Sequence, residues 1–183
     1  SGFVWNLLDT SAYEKLHDRT TQNLTLQSQA VFMDFIKSKQ RASIHGSGTQ
    51  SKEYYNFHNA KGSFSRLYKY SHVIVSEVWP GIDLEVMSFQ NTIKYNWILH
   101  AGADPSVIHW KYRGHTTLEL SSTRDFCRLT TQMVNWTEEI PAVYYSKSPS
   151  ETPKTSDLVS GVRYTQSNDG SIQFDIPNFD HSF

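Results

Sequence analysis

Three consecutive pieces decide the fold class of this chain: Trp79-Pro80-Gly81-Ile82-Asp83-Leu84-Glu85-Val86, Ile93-Lys94-Tyr95-Asn96-Trp97-Ile98-Leu99 and Gly102-Ala103-Asp104-Pro105. Pro80 fixes φ and Gly81 permits positive φ, so the pair punctuates the chain sharply. Ile82, Leu84 and Val86 then alternate with Asp83 and Glu85, the period of a half-buried strand. On the return, Ile93, Tyr95, Trp97 and Leu99 alternate with Lys94, Asn96 and His100, with Ile98 breaking the polar face. The reversal between the two runs is too short for a parallel crossover. Residues 82–89 are therefore expected to pair antiparallel with residues 92–100. Tyr95 and Trp97 are expected to fill the core beside Ile93 and Leu99, and truncation of a core Trp97 to Ala should cost about 3–5 kcal/mol.

Working outward, Phe3, Trp5 and Leu7 alternate as a first strand, and Ser11 with Glu14 fits a capping box for a short N-terminal helix over 12–19. The run 30–36 reads as a strand, whereas 40–52, polar and carrying Gly46-Ser47-Gly48, reads as an exposed loop. Tyr54 to Phe57 and Tyr68 to Val78 read as extended. Further extended segments fall at 107–112, 116–120, 126–136 and 140–145. The stretch 146–156, with Pro149 and Pro153, reads as a loop within the domain. Segments 161–165 and 171–176 flank Asn168-Asp169-Gly170, a strong hairpin turn signal. Many short strands with turn signals and no internal repeat predict an all-β, antiparallel, β-sandwich-like fold.

The central motifs resemble a family: the β-rich N-terminal domain, of unknown function, that precedes propeller-type repeats in large secreted or surface proteins of bacteria with type IX secretion. That family carries a Tyr-Pro-Gly-Ile-Asp-Leu motif, a hairpin ending in Leu-Lys-Tyr-Asp-Phe, and a Gly-Ala-Asp-Pro-Ser turn. Here these match Trp79 to Leu84, Ile93 to Trp97, and Gly102 to Ser106, in the same order and spacing. The match extends back to Tyr54-Tyr55-Asn56-Phe57, forward through Ile108 to Gly114, and includes Gly170 to Ile176, so 54–183 is the family-like part and 1–53 a weakly matched part of one domain. Two departures stand out. Asn96 replaces the usual acidic residue, and Ser88-Phe89-Gln90-Asn91 replaces a glycine-rich turn. The resemblance implies a secreted or cell-surface location, and the other domains of the same exported protein as partners. It supplies no activity, cofactor or site residue.

Composition bounds the rest. A chain of 183 residues suits one domain with a substantial core. Its net charge of −1 offers no electrostatic reason to expect nucleic acid. No apolar run is long enough to span a bilayer, and no signal peptide is visible in these residues. Cys127 is the single cysteine, so an intramolecular disulfide is impossible. Flanked by Phe126 and Leu129, it reads as a small core or strand residue rather than a nucleophile.

Chemical constellations are thin. His45, His58, His72, His100, His109 and His115 show no HxH, HExxH or Cys/His ligand spacing. Asp83 and Glu85 fall on one strand face, as glycosidase carboxylates sometimes do, but alternating acids on a solvent face are far commoner. No GxSxG, P-loop or dinucleotide-binding glycine pattern is present. Trp79, Trp97, Trp110 and Trp136, with Tyr95 and Tyr112, would make a sugar-stacking platform if exposed together. Asn23-Leu24-Thr25 and Asn135-Trp136-Thr137 match glycosylation sequons, a pattern frequent by chance. No catalytic, cofactor-binding or metal residue is assigned. Three functions stay open: a noncatalytic structural, adhesive or recognition module of an exported surface protein, a carbohydrate-binding β-sandwich meeting a surface glycan or protein, and a glycan-acting hydrolase.

Overall fold

The computed structural model describes residues 2–10, 27–89, 92–147, 154–177 and 179–180. The expected helix over 12–19, the Asn23 sequon and much of the loop over 146–156 lie outside them. The described chain is all-β and sandwich-like, built from antiparallel pairs. It forms two compact units: residues 1–36 with 105–180, and residues 37–104.

The first unit contains a five-stranded sheet in the order β1 (Gly2–Leu8), β2 (Ser28–Phe35), β7 (His109–Arg113), β14 (Ile172–Asp175), β13 (Arg163–Gln166). A second sheet has the order β10 (Asn135–Glu139), β9 (Phe126–Thr130), β8 (Thr117–Leu120). A short pair, β11 (Val143–Tyr144) with β12 (Leu158–Val159), completes it. Alternation does the work expected of it. Val31, Met33 and Phe35 on β2, Trp110 and Tyr112 on β7, Tyr164 on β13 and Ile172 on β14 are all buried, as are Cys127 and Leu129 on β9. Trp5 reaches both Tyr112 (ring centroids 6.4 Å) and Trp136 (6.0 Å), linking the two sheets through one aromatic cluster. The segment 126–136, read as one extended piece, is instead two strands: Thr131 breaks it, its Oγ1 accepting from the Met133 and Val134 amides. The hairpin around Asn168-Asp169-Gly170 forms as expected, with Gly170 at φ 84°.

The second unit is one four-stranded sheet in the order β3 (Ser43–Asn59), β4 (Gly62–Trp79), β5 (Ile82–Phe89), β6 (Thr92–Leu99). The register Ile82↔Leu99, Leu84↔Trp97, Val86↔Tyr95 and Phe89↔Thr92 is the antiparallel hairpin that the central motif predicts. Gly81 takes φ 70° at the turn, and a Cβ there would meet the Ala103 Cβ at 3.2 Å. Trp79, Val78, Ile82 and Leu84 are buried. The core expected on β6 is only half realised: Tyr95, Trp97 and Leu99 are half-buried, while Ile93 is 61% exposed. Trp97 leans on Trp79 at 5.3 Å. Because β6 is an edge strand, packing is incomplete along its length.

The polar stretch 40–52 is not a loop from Ser43 onward. It is the start of β3, held by main-chain pairing to β4. Gly46 is what allows it: the Tyr70 ring lies so close that a Cβ there would meet its ring carbons at 2.3 Å. The side-chain pattern hid the strand because one aromatic ring substitutes for the missing alternation.

Candidate functional site

The two carboxylates on β5 are both taken up in hydrogen bonds within the sheet. Asp83 Oδ1 accepts the Glu77 amide (2.7 Å) and Oδ2 accepts His100 Nε2–H (3.0 Å). Glu77 has φ 56° where β4 slips register between Val75 and Trp79, so Asp83 anchors the amide of a β-bulge. Burial opposes ionisation of Asp83, but the Glu77 amide and His100 outweigh it and hold the carboxyl below its usual range. Glu85 is taken up similarly: His72 Nδ1–H donates to Oε1 at 2.6 Å and Asn96 Nδ2 donates to Oε2 at 2.9 Å. At position 96 an amide supplies a donor, where an acid would repel its neighbour. The departure at Asn96 thus completes a small polar network on the sheet.

Two further histidines make local hydrogen bonds. His58 meets Ser63 Oγ at 3.0 Å, and His109 Nδ1–H donates to the Val107 carbonyl at 2.7 Å. Among the described residues no three His, Cys, Asp or Glu side chains gather to hold a metal ion. Cys127 is fully buried, and burial followed by the adjacent Glu138 carboxylate pushes its thiol well up, so it stays protonated. Its Sγ–H lies 3.7 Å from Glu138 Oε2, which also accepts the Tyr112 hydroxyl. The nearby Tyr164 hydroxyl donates to the Glu139 carbonyl at 3.1 Å. This cluster ties the second sheet to β7 and β13, and its acidic protons are held more tightly than in water.

Of the six aromatics that would make a sugar-stacking platform if exposed together, Trp97, Trp136 and Tyr95 are half-buried and the other three are buried. Trp79, Trp110 and Tyr112 are buried, and each is at most 3% exposed, so none offers a face to a sugar. Strand alternation turns Trp110 and Tyr112 into core, whereas Trp79 is buried beside Val78 just past the Glu77 bulge.

Sequence reasoning missed a different aromatic surface. β5 pairs with β4 only from His72 onward, so among the described residues the outer parts of β3 and β4 form a two-stranded ribbon without a third strand. Its turn is Ala60-Lys61, with Asn59 Oδ1 accepting the Lys61 amide at 2.8 Å. Tyr54 faces Tyr68 across the pair, rings 6.1 Å apart and edge-on, and Tyr70 follows two residues on along the same face. The other face carries Tyr55 stacked on Phe57 (6.4 Å), with Phe64 and Leu67 opposite them and Lys69 Nζ over the Tyr55 ring at 4.6 Å. These seven apolar side chains are 40–55% exposed. A bare two-stranded ribbon has no face to hide them against. The signal in the sequence is the run Tyr54-Tyr55-Asn56-Phe57 followed by Phe64, Leu67, Tyr68 and Tyr70: both alternation phases are apolar, so one set had to remain outside a single-layer core.

Fold and surface together define a class: an all-β, sandwich-like protein in which Asp83, Glu85 and Cys127 make internal contacts and the exposed aromatics are concentrated on one ribbon. The chain belongs to the family described as Domain of unknown function (DUF7948), whose family model matches residues 1–183. That match takes in the N-terminal part, where the motifs alone are weakest. No curated protein matches the chain, and no solved structure does.

Proposed function

We propose that this chain is a noncatalytic recognition or adhesive module of a larger exported surface protein, and that the β3–β4 ribbon is its contact surface. One observation carries the reading: seven apolar side chains stay exposed on the ribbon while Asp83, Glu85 and Cys127 are committed to structural contacts. Exposed contiguous apolar surface is costly to maintain unless it binds something. A carboxylate already shared between a bulge amide and a histidine is poorly placed to attack or protonate a substrate. The exported context rests on the resemblance of the Trp79 to Ser106 motifs.

The test uses the purified chain against generic glycosidase, esterase and peptidase substrates, with and without divalent metals, alongside glycan and peptide binding arrays. Binding that falls when Tyr54, Phe57, Phe64 and Tyr68 are replaced by Ser, with no turnover, is the expected result. Turnover abolished by Asp83→Asn or Glu85→Gln would favour the hydrolase instead. The carbohydrate-binding reading keeps support from this aromatic ribbon rather than from the tryptophans.

A further inference from the structure

Resting on the recognition-module reading, we infer that the ribbon binds an acidic polysaccharide whose negative charge is a sugar carboxylate, a uronic-acid glycan. Its charge points there first. Between Ser43 and Tyr70 lie Lys52, Lys61, Arg66 and Lys69 against the single acid Glu53, a local excess of three positive charges in a chain of net charge −1. Lys69 is occupied over Tyr55, but Lys52, Lys61 and Arg66 form no ion pair among the described residues. Arg66 sits at φ 56°, its amide held by Asn56 Oδ1 at 3.0 Å, so the bend that places its side chain is built into the ribbon. Uncompensated cations beside exposed aromatic faces fit a ligand that is anionic and also has flat apolar faces.

Geometry then narrows the class. An added peptide strand needs a straight open edge, but the β3–β4 pairing is broken by register shifts at Ser47/Gln50, Gln50/Tyr54 and Tyr55/Phe57, β3 carries Lys52, and the open part of β4 carries Arg66 at φ 56°, devices that discourage edge pairing on either side. The faces, rather than the edges, are left for binding. Insertion into lipid would need an apolar tip, whereas the tip is Asn59-Ala60-Lys61-Gly62-Ser63. A nucleic acid has one charge per phosphate and calls for a strongly basic domain; the chain's pI is about 6.7. Three free cations match a polymer with one carboxylate per sugar better than a heavily sulfated one. In this arrangement Tyr54, Tyr68 and Tyr70 on one face, and Tyr55, Phe57 and Phe64 on the other, stack on sugar C–H faces, and Lys52, Lys61 and Arg66 receive the carboxylates.

The experiment is affinity electrophoresis and calorimetry of the full chain with polygalacturonate, neutral dextran, dextran sulfate, oligo(dT) and vesicles containing an anionic lipid. Three variants accompany it: Lys52→Gln/Lys61→Gln/Arg66→Asn, Tyr54→Ser/Tyr68→Ser, and Phe57→Ser/Phe64→Ser. All alter exposed positions, and circular dichroism checks that each remains folded. Polygalacturonate should bind at least tenfold more tightly than dextran, weaken with added salt, and lose at least tenfold in the charge variant and in one or both aromatic variants. Absence of polygalacturonate binding, equal binding of dextran, or an unchanged charge variant would overturn the assignment. So would tighter ribbon-dependent binding of dextran sulfate, oligo(dT), vesicles or a second copy seen by sedimentation, although these leave the recognition-module reading standing. That reading fails separately, if the chain turns over a substrate or if no binding responds to the aromatic variants.

Discussion

Trp110 of the first unit and Phe57 of the second are both aromatic residues on antiparallel strands, yet one is wholly buried and the other 55% exposed. The difference is the second layer. Trp110 is enclosed by Tyr164 (6.3 Å) and Phe174 (5.0 Å), whereas Phe57 stands on a ribbon that among the described residues has no third strand. Strand propensity is satisfied in both places; burial is satisfied in only one. The contrast teaches that aromatic content alone says nothing of whether an aromatic builds core or meets a ligand.

The comparison breaks most easily at Trp110. Its truncation to Ala should lower stability by about 3–5 kcal/mol, read as a drop in the urea midpoint. A loss below that of Trp97→Ala would contradict the difference in burial, since half-buried Trp97 on an edge strand should lose less than a core tryptophan. Next in size is Asp83→Asn, expected to cost about 1 kcal/mol by weakening the acceptor at the Glu77 bulge. Its sign with pH follows from the depressed carboxyl. Asp83 contributes stability above its unfolded pKa of about 3.9, and that contribution is lost as pH falls through the lower folded value. Asn at this position should therefore flatten the acid limb of a stability–pH curve; an unchanged acid limb would show that the bulge contact is not coupled to folding.

Smallest of all should be Phe57→Ser with Phe64→Ser, within about 0.5 kcal/mol, because exposed side chains contribute little to folding. A large destabilisation there would mean that the ribbon is core after all. Cys127 offers a sharper view of the first unit. A thiol reagent should leave it unmodified in the native chain and react fully in urea, and rapid native labelling would contradict its burial beside Glu138.

Much of the fold was legible in short-range pattern. Pro80-Gly81 marks where β5 begins, the alternation of 82–86 and 93–99 with the short reversal between them predicts the antiparallel β5–β6 pair, and Asn168-Asp169-Gly170 marks the β13–β14 hairpin. The run 30–36 reads as strand, but that Val31, Met33 and Phe35 form its buried face was not legible, since Ala30, Phe32 and Ile36 are apolar on the other phase. Cys127 was readable as core from its apolar neighbours. Less visible was β3, where Gly46 and a row of polar residues look like loop until Tyr70 is seen lying over the glycine. The ribbon was missed for a related reason: Tyr54 to Phe57 reads as strand, but nothing nearby in sequence says that β5 and β6 stop short of it.

By itself, then, the sequence determined the β class, the two tight hairpins, the alternation along β5 and the absence of familiar nucleophile, phosphate and metal motifs, because these depend on residues within a few positions of one another. Only tertiary structure decided which aromatics are hidden, that Asp83 clasps the Glu77 amide, that Asn96 completes the Glu85 network, and that the outer parts of β3 and β4 stand uncovered. Burial and hydrogen-bond partnership are properties of what lies across space. Side chains of the same kind become core or contact surface according to whether another layer reaches them.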